Sequence, residues 1–362
     1  MTDSVKQYQS CGAIHIHTKF SDGTGDINSI SKAARKAGLD WIIITDHNYY
    51  DTKEGIYNGV YVIKGEEISP NGHDHYLALG INEEIEPSEN PQINVNKVRE
   101  LGGFGIAAHP DEGVNEGVNE GVNEGVNEGV NSRKNKWPPI VWKDKSITPD
   151  GVEIWNWFSN WGDNLNDRNI FALAYSFFFK NKIITAPSVE TLNWWDDLNL
   201  KSDKIVPAAG GVDAHALKIY NYIIPLTIYP YETCFKTIVN IISTEEPLSK
   251  NFAKAKEQIL SSIKSGRNII LNKNICKEAP LVYMENKTEK AFCGQKIKLT
   301  PDTNLIIGTK NHVDVTIIHD GKKIKNFTNK NIKLPVTKSG NYRIEFSYKG
   351  KNYCYTNPIK VF

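Results

Sequence analysis

Two histidines spaced two apart, His15 and His17, close an apolar run, "GAIHIH", and Asp22 follows five residues later. Imidazole nitrogens and carboxylates in such groupings are common ligands of divalent transition ions. The question is whether other apolar runs end the same way. They do: "WIIITDH" ends in Asp46 and His47, "VYVIKGEE" in Glu66 and Glu67, "GIAAHP" in His109, and "AAGGVDAH" in Asp213 and His215. His73 and His75 stand just before "YLALG". Each group alone has a duller explanation. "TDH" can cap a helix, "GEE" can be a solvated turn, and a histidine after a strand is more often a hydrogen-bonded structural residue. Seven of the nine histidines at or before His215, with acidic companions at successive strand ends, are not independent accidents. The joint reading is a centre that binds divalent metal ions. A mixed imidazole and carboxylate donor set suits Zn²⁺, Mn²⁺ or Fe²⁺ better than Mg²⁺ or Ca²⁺. Spacing alone leaves Glu66 against Glu67, and His73 against His75, open.

The elements that must position these residues are alternating short strands and helices over roughly the first 270 residues. "DINSISKAARKAGL" reads as a helix with Asp26 as N-cap, an apolar stripe at Ile30, Ala33, Ala34 and Ala37, and Gly38 as its stop. "NVNKVRELG", "SVETLNWWDDLNL" and the segment around Phe252 to Ile263 read as further helices. "DWIIITDH" is continuously apolar, as a strand buried on both faces should be. This alternation predicts an α/β fold with a parallel barrel or a doubly wound sheet. In a parallel barrel the C-terminal strand ends converge on one face. Residues two apart on a strand point the same way, so H-x-H and D-x-H each offer two ligands to one site.

After about residue 275 the pattern changes to period two with turn residues between, and "HDGKKI" predicts a tight hairpin. The expected organisation is a barrel over 1–275 and a small antiparallel β-sandwich, immunoglobulin-like in architecture, over 276–362. Five copies of a tetrapeptide, Glu112 to Asn131, read as a low-complexity acidic loop insertion beginning three residues after His109. Residues 276–362 hold 16 basic and 7 acidic residues; the remainder, 27 basic and 35 acidic, carries −8 within a net charge of +1. A negative first unit reads either as a solvated acidic surface or as a domain that expects bound cations. Five widely spaced cysteines without a CxxC indicate neither a disulfide scaffold nor a thiolate zinc site and read as free thiols, with one bridge between Cys293 and Cys354 as the alternative. No apolar run reaches the roughly 18–20 residues of a membrane span. "MTDSVKQYQS" lacks a signal-peptide pattern, so a cytoplasmic chain is expected, with export left open.

The ordered set "HIHT…SDG…TDHN…GEEIS…H…AHP…DAH" resembles the polymerase and histidinol phosphatase (PHP) family of metal-dependent phosphoesterases, over roughly residues 10–270. "VEIWNW", "SVETLNWWDDL" and "GGVDAHALK" resemble a stand-alone subgroup with a C-terminal β-domain ending in a "TNPI"-like strand. The resemblance implies a distorted (β/α)7 TIM-like barrel holding up to three metals. It implies His15, His17, Glu67 and Asp213 as ligands of a first ion. Glu67, His75 and His109 would hold a second, with Glu67 bridging, and Asp22, His47 and His215 a third. Its G-x-E pattern selects Glu67, and the position directly before the apolar strand selects His75. Among catalytic candidates, Asp46 is read as an orienting group beside a ligand, and Lys218, with Lys19 and Arg168 behind it, as a phosphate-binding cation. The implied activity is hydrolysis of small phosphomonoesters or nucleotides by a metal-bridging hydroxide. Alternatives are an exonuclease or phosphodiesterase on short oligonucleotides, an amidohydrolase, and a vestigial barrel whose β-domain binds a polymer. Tryptophans in "WNW" and "NWW" offer either core packing or a stacking surface for a nucleobase.

Overall fold

The computed structural model describes residues 7–112, 140–163, 184, 186–219 and 226–362. Most of the tetrapeptide repeat and Arg168 lie outside the described residues. Strands β1 (Tyr8–Ile16), β2 (Trp41–Ile44), β3 (Gly55–Tyr57), β4 (Val60–Ile68), β5 (Tyr76–Leu79), β6 (Phe104–Ala107), β7 (Gly151–Asn156) and β8 (Ala208–Ala214) come first. Seven of them close a ring in the order β1-β2-β4-β5-β6-β7-β8, with β8 returning to β1. β5 is antiparallel to both β4 and β6, while the other pairs in the ring are parallel. The expected barrel is therefore present as a closed α/β ring, but not as a regular strand–helix repeat. The reversed β5 breaks it, and so does the step from β2 to β4, which passes through the short β3 hairpin instead of a helix.

Helix α1 (Ile27–Lys36) begins as expected: the Asp26 carboxylate accepts from the Ser29 amide, and the Ser29 hydroxyl accepts from the Asp26 amide. Gly38, at φ +74°, takes the left-handed conformation that ends it. α2 (Pro91–Glu100), α3 (Trp157–Asp163), α4 (Val189–Lys201), α5 (Tyr231–Cys234) and α6 (Phe252–Lys264) follow. Strand alternation sorts the barrel's apolar residues into two layers. Ile14, Ile43, Ile63, Leu77, Ile106 and Ala209 form one cluster inside the ring with Ile259 and Ile263 of α6. Ile16, Ile42, Ile44, Val62, Ala78 and Val212 point outward into the larger cluster that includes Ile30 and Ala34 of α1. The apolar interior leaves the polar strand ends at one mouth. No helix among the described residues is long and apolar enough to cross a membrane.

The remaining strands are β9 (Lys218–Ile219), β10 (Leu226–Thr227), β11 (Ile238–Thr244), β12 (Asn268–Asn272), β13 (Leu281–Glu285), β14 (Lys290–Phe292), β15 (Lys296–Ile297), β16 (Asn304–His319), β17 (Lys322–Pro335), β18 (Gly340–Tyr348), β19 (Lys351–Thr356) and β20 (Ile359–Val361). The expected tight turn joins β16 to β17, with Asp320 and Gly321 both at positive φ, +47° and +71°, as a hairpin of this hand requires. One hydrogen-bonded path runs from the barrel into the C-terminal part: β1 pairs β11, β11 pairs β12, β12 pairs β19, β19 pairs β18 and β18 pairs β16. β17 pairs only with β16 among the described residues, so its other edge is open, and most of its side chains are exposed.

Two buried polar devices fasten the C-terminal part to the barrel. Arg343 of β18 donates twice to Asp196 of α4, at 2.7 Å each. Asn357, fully buried, accepts from the Ala208 amide (2.7 Å) and donates to the Ala208 carbonyl (3.0 Å) and to both oxygens of Asn268 (3.1 and 2.9 Å). Asn268 in turn donates to Asn240, which bonds both backbone groups of Gly210. These side chains satisfy backbone groups along β8, the strand that carries Asp213.

Candidate metal centre

Four overlapping groups of side chains meet at the barrel mouth, with ligand atoms within 4.8 Å of one another in each. They are His17, Asp22, His47 and His215; His15, Glu67 and His109; His15, His17 and Asp213; and His47, Glu67 and His75. The structure thus brings together all nine residues singled out from the sequence. Glu67 is the hub. Its Oε2 lies 3.1 Å from His15 Nε2, 3.3 Å from His17 Nε2 and 3.1 Å from His47 Nδ1. Its Oε1 lies 2.9 Å from His75 Nδ1 and 3.2 Å from His109 Nε2. Asp213 Oδ1 faces His15, His17 and His215 at 3.6, 3.2 and 3.4 Å. The exposed Asp22 faces His215 and His47 at 3.2 and 3.7 Å.

Local backbone geometry aims these groups. With Ile14 inside the ring, strict alternation would turn His15 outward. A bulge between Ile14 and Ile16, with His15 at φ +64°, turns it back to the interior, and His17 follows. His109 and Asp213 also adopt positive φ, +25° and +46°, a conformation non-glycine residues hold only when their surroundings enforce it. Alternation settles the glutamates: Glu67 shares a face with Ile63, while Glu66 points outward and accepts from the Ile85 amide. The reversal of β5 explains why His75 precedes its strand, since the start of an antiparallel strand lies at the mouth. Asp74, at φ +55°, turns the chain so that His73 leaves the centre and pairs with Asp74 and Glu89.

Burial opposes charge on every group here, and the carboxylate–imidazole contacts overcome it in most. Burial would raise the Glu67 carboxyl, but His47, His15 and His75 hold it well below its usual range. Asp213 is held low in the same way by His15 and His215. Burial would lower His109, yet Glu112 and Glu67 push it up to about 9. His215 is likewise pushed up to about 9 by Asp213 and Asp22. His17 goes the other way, to about 4, because burial and the neighbouring His215 disfavour its charge. His15 Nε2, His17 Nε2 and Glu67 Oε2 are buried and approach one another without hydrogen-bond alignment. Such donors fit a shared divalent cation better than they fit each other.

Asp46 belongs to none of the four groups. Its carboxylate accepts from the Thr18 amide (2.6 Å), the Thr18 hydroxyl (2.8 Å), Ser21 (2.7 Å) and Thr52 (3.0 Å). It therefore pins the loop between His17 and Asp22. Lys218, on β9, and Lys19 are exposed, and no ion pair or hydrogen bond joins either side chain to the cluster among the described residues. The tryptophans of "WNW" and "NWW" are at most 8% exposed and pack in the core; Phe158 stands beside His215, with ring centroids 5.4 Å apart. Sequence reasoning missed Glu153, buried on β7 behind His15 at 2.8 Å. The signal was present: an acidic residue in the middle of the mostly apolar strand "GVEIWN".

Residues 13–93 match the PHP domain family. That stretch of the chain is similar to the PHP domain. The matched stretch contains His15, His17, Asp22, His47, Glu67 and His75, so the PHP match covers the first six cluster residues and the last three lie beyond it. An uncharacterized protein of Methanocaldococcus jannaschii is 34% identical over 113 residues, which span 27% of this chain and 66% of that relative. A Bacteroides vulgatus crystal structure, described as a two-domain protein containing a predicted PHP-like metal-dependent phosphoesterase, superposes over 97% of this chain and 95% of its own. Its TM-score is 0.45 and its identity 14%.

Proposed function

We propose that the protein hydrolyses phosphate esters with divalent ions held by the PHP domain's nine clustered residues. The observation that carries this reading is the fully buried Glu67 carboxylate, with imidazole nitrogens of five histidines between 2.9 and 3.3 Å from it. His15, His17, Glu67 and Asp213 would hold one ion, Glu67, His75 and His109 a second, and Asp22, His47 and His215 a third. Ions of the Zn²⁺, Mn²⁺ or Fe²⁺ class would supply Lewis acidity there and lower the pKa of a water to about 7. The chain's own part is to fix the donors. Asp46 holds the His17–Asp22 loop, Ser69 bonds His47 Nδ1 at 2.6 Å, and Tyr231 braces the backbone of His17 and His215.

A cavity of about 60 Å³ adjoins the cluster, lined in part by His109, Glu112, Asn156, Ser159 and Thr191. The substrates we propose are small phosphomonoesters or nucleotides. We place a division near residue 275, with the PHP barrel before it and an immunoglobulin-like β-unit after it. The test is metal analysis together with a panel of nucleotides, sugar phosphates and short oligonucleotides, assayed with Mn²⁺ or Zn²⁺ beside amide and lactone controls. Hydrolysis of phosphate esters that disappears with a chelator and returns with the ion is the expected result. Phosphate-ester hydrolysis that survives complete ion removal, or hydrolysis of the amide and lactone controls alone, would refute the proposal.

A further inference from the structure

Behind the cluster lies a buried carboxylate that is not among the nine. Glu153 is 1% exposed and has three hydrogen-bond partners. Its Oε1 faces His15 Nδ1 at 2.8 Å. Its Oε2 accepts from the His109 backbone amide at 2.8 Å and from Asn156 Nδ2 at 2.9 Å. Two of these partners, both on Oε2, can only donate, so Oε2 accepts from each and Oε1 is left to face His15. The Asn156 amide is itself oriented, because its oxygen accepts from the Ser159 amide at 2.9 Å in the first turn of α3. Its nitrogen is therefore turned toward Glu153 and lies 3.5 Å from Asp213 Oδ2. The fold also makes room for this carboxylate. A Cβ added at Gly211 of β8 would stand 1.7 Å from Glu153 Oε1 and 3.1 Å from the Cβ of His15.

We infer that Glu153 is a positioning residue that fixes His15 with its proton on Nδ1, so that Nε2 presents its lone pair to the ion site, and that Gly211 is the gap that admits it. The inference rests on the metal reading above. A ring nitrogen bonded to a carboxylate sets which nitrogen remains free to ligate. Here the same carboxylate also ties the backbone of His109, so one side chain behind β7 registers the ends of β1 and β6 against each other. Glu153→Gln exposes the logic. If the Gln oxygen faces His15, its NH₂ meets two donors, the His109 amide and Asn156. If the amide is flipped, its NH₂ faces Nδ1 and forces the His15 proton onto Nε2, which can then no longer bind an ion.

The experiment measures Zn²⁺ and Mn²⁺ dissociation constants of the folded protein by competition with a chromophoric chelator, for the parent, Glu153→Gln and Gly211→Ala. A loss of about 10–100-fold in both variants is expected, the range for removing such a partner. The second readout is ¹⁵N NMR of the zinc-loaded parent with labelled histidine, the His15 signals assigned through His15→Gln. A proton on Nδ1 of His15 supports the inference, and a proton on Nε2 overturns it even if neither variant folds. Folded variants with lowered thermal stability but unchanged ion affinity would make Glu153 merely structural and overturn it too. A parent that binds no divalent ion would defeat the metal reading itself, a failure distinguishable from an unimpaired Glu153→Gln in a parent that binds.

Discussion

Replacing Asn357 by Ala tests whether the C-terminal part is built into the barrel. Four hydrogen bonds end on this side chain, two of them on Ala208 of β8. The substitution leaves the Ala208 amide and Asn268 Oδ1 buried without those partners, while the Ala208 carbonyl keeps its bond from Asn268 Nδ2. Each orphaned group costs about 1–3 kcal/mol, so the expected loss is about 2–6 kcal/mol. With an unfolding entropy of about 2.1 cal/mol/K per residue, a cooperative chain of 362 residues loses about 3–8 °C in Tm. Calorimetry should show a single transition moved down by that amount, because β12–β19 pairing and the asparagine contacts make the two parts melt together. A Tm within about 1 °C of the parent, or a C-terminal transition that shifts while the barrel's does not, would refute the reasoning.

Three further outcomes are expected. Glu67→Gln should weaken ion binding by more than the ~100-fold upper range for an outer partner, because Glu67 belongs to two of the four groups and faces five imidazoles; equilibrium dialysis with ion analysis reads this. The Glu66 carboxyl is pushed up to about 8 by burial. It stays neutral in the fold while its unfolded counterpart ionises from about pH 4.5, so stability should fall as pH rises from there to about 8. Glu66→Gln should flatten that decline in denaturant titrations at several pH values, and an identical slope would remove Glu66 as its source. Lys218→Ala should raise KM for a phosphate substrate with ion content unchanged, whereas unchanged kinetics would remove Lys218 from the site.

The ligand set was readable because its chemistry is carried by rare residue types at strand ends, and strand ends are marked by apolar runs. The choice between Glu66 and Glu67 could have been made by counting alternation from Ile63, which packs inside the ring. The direction of His15 could not, since the bulge at that residue depends on how β1 meets β8. His73 has the right parity and is excluded only by the left-handed turn at Asp74. Glu153 was passed over because its role lies in contacts to residues 138 and 44 positions away, which local pattern does not reveal. The barrel was legible from strand–helix alternation, but the reversed β5 was not, because a buried four-residue strand looks the same in either direction. Joining β12 to β19 couples segments some 80 residues apart, and period-two patterning says nothing about such partners.

The open border of β17 has a consequence for the protein in crowded solution. Its five lysines, Lys322, Lys323, Lys325, Lys330 and Lys333, line a strand whose outer amides and carbonyls are otherwise ready to zip onto another molecule. Two copies approaching edge to edge bring like charges together before any backbone bond can form. That guard is electrostatic, so it thins as salt shortens the reach of charge to a few ångströms. Dispersal at low ionic strength and self-association in brine would both trace to this one fringe.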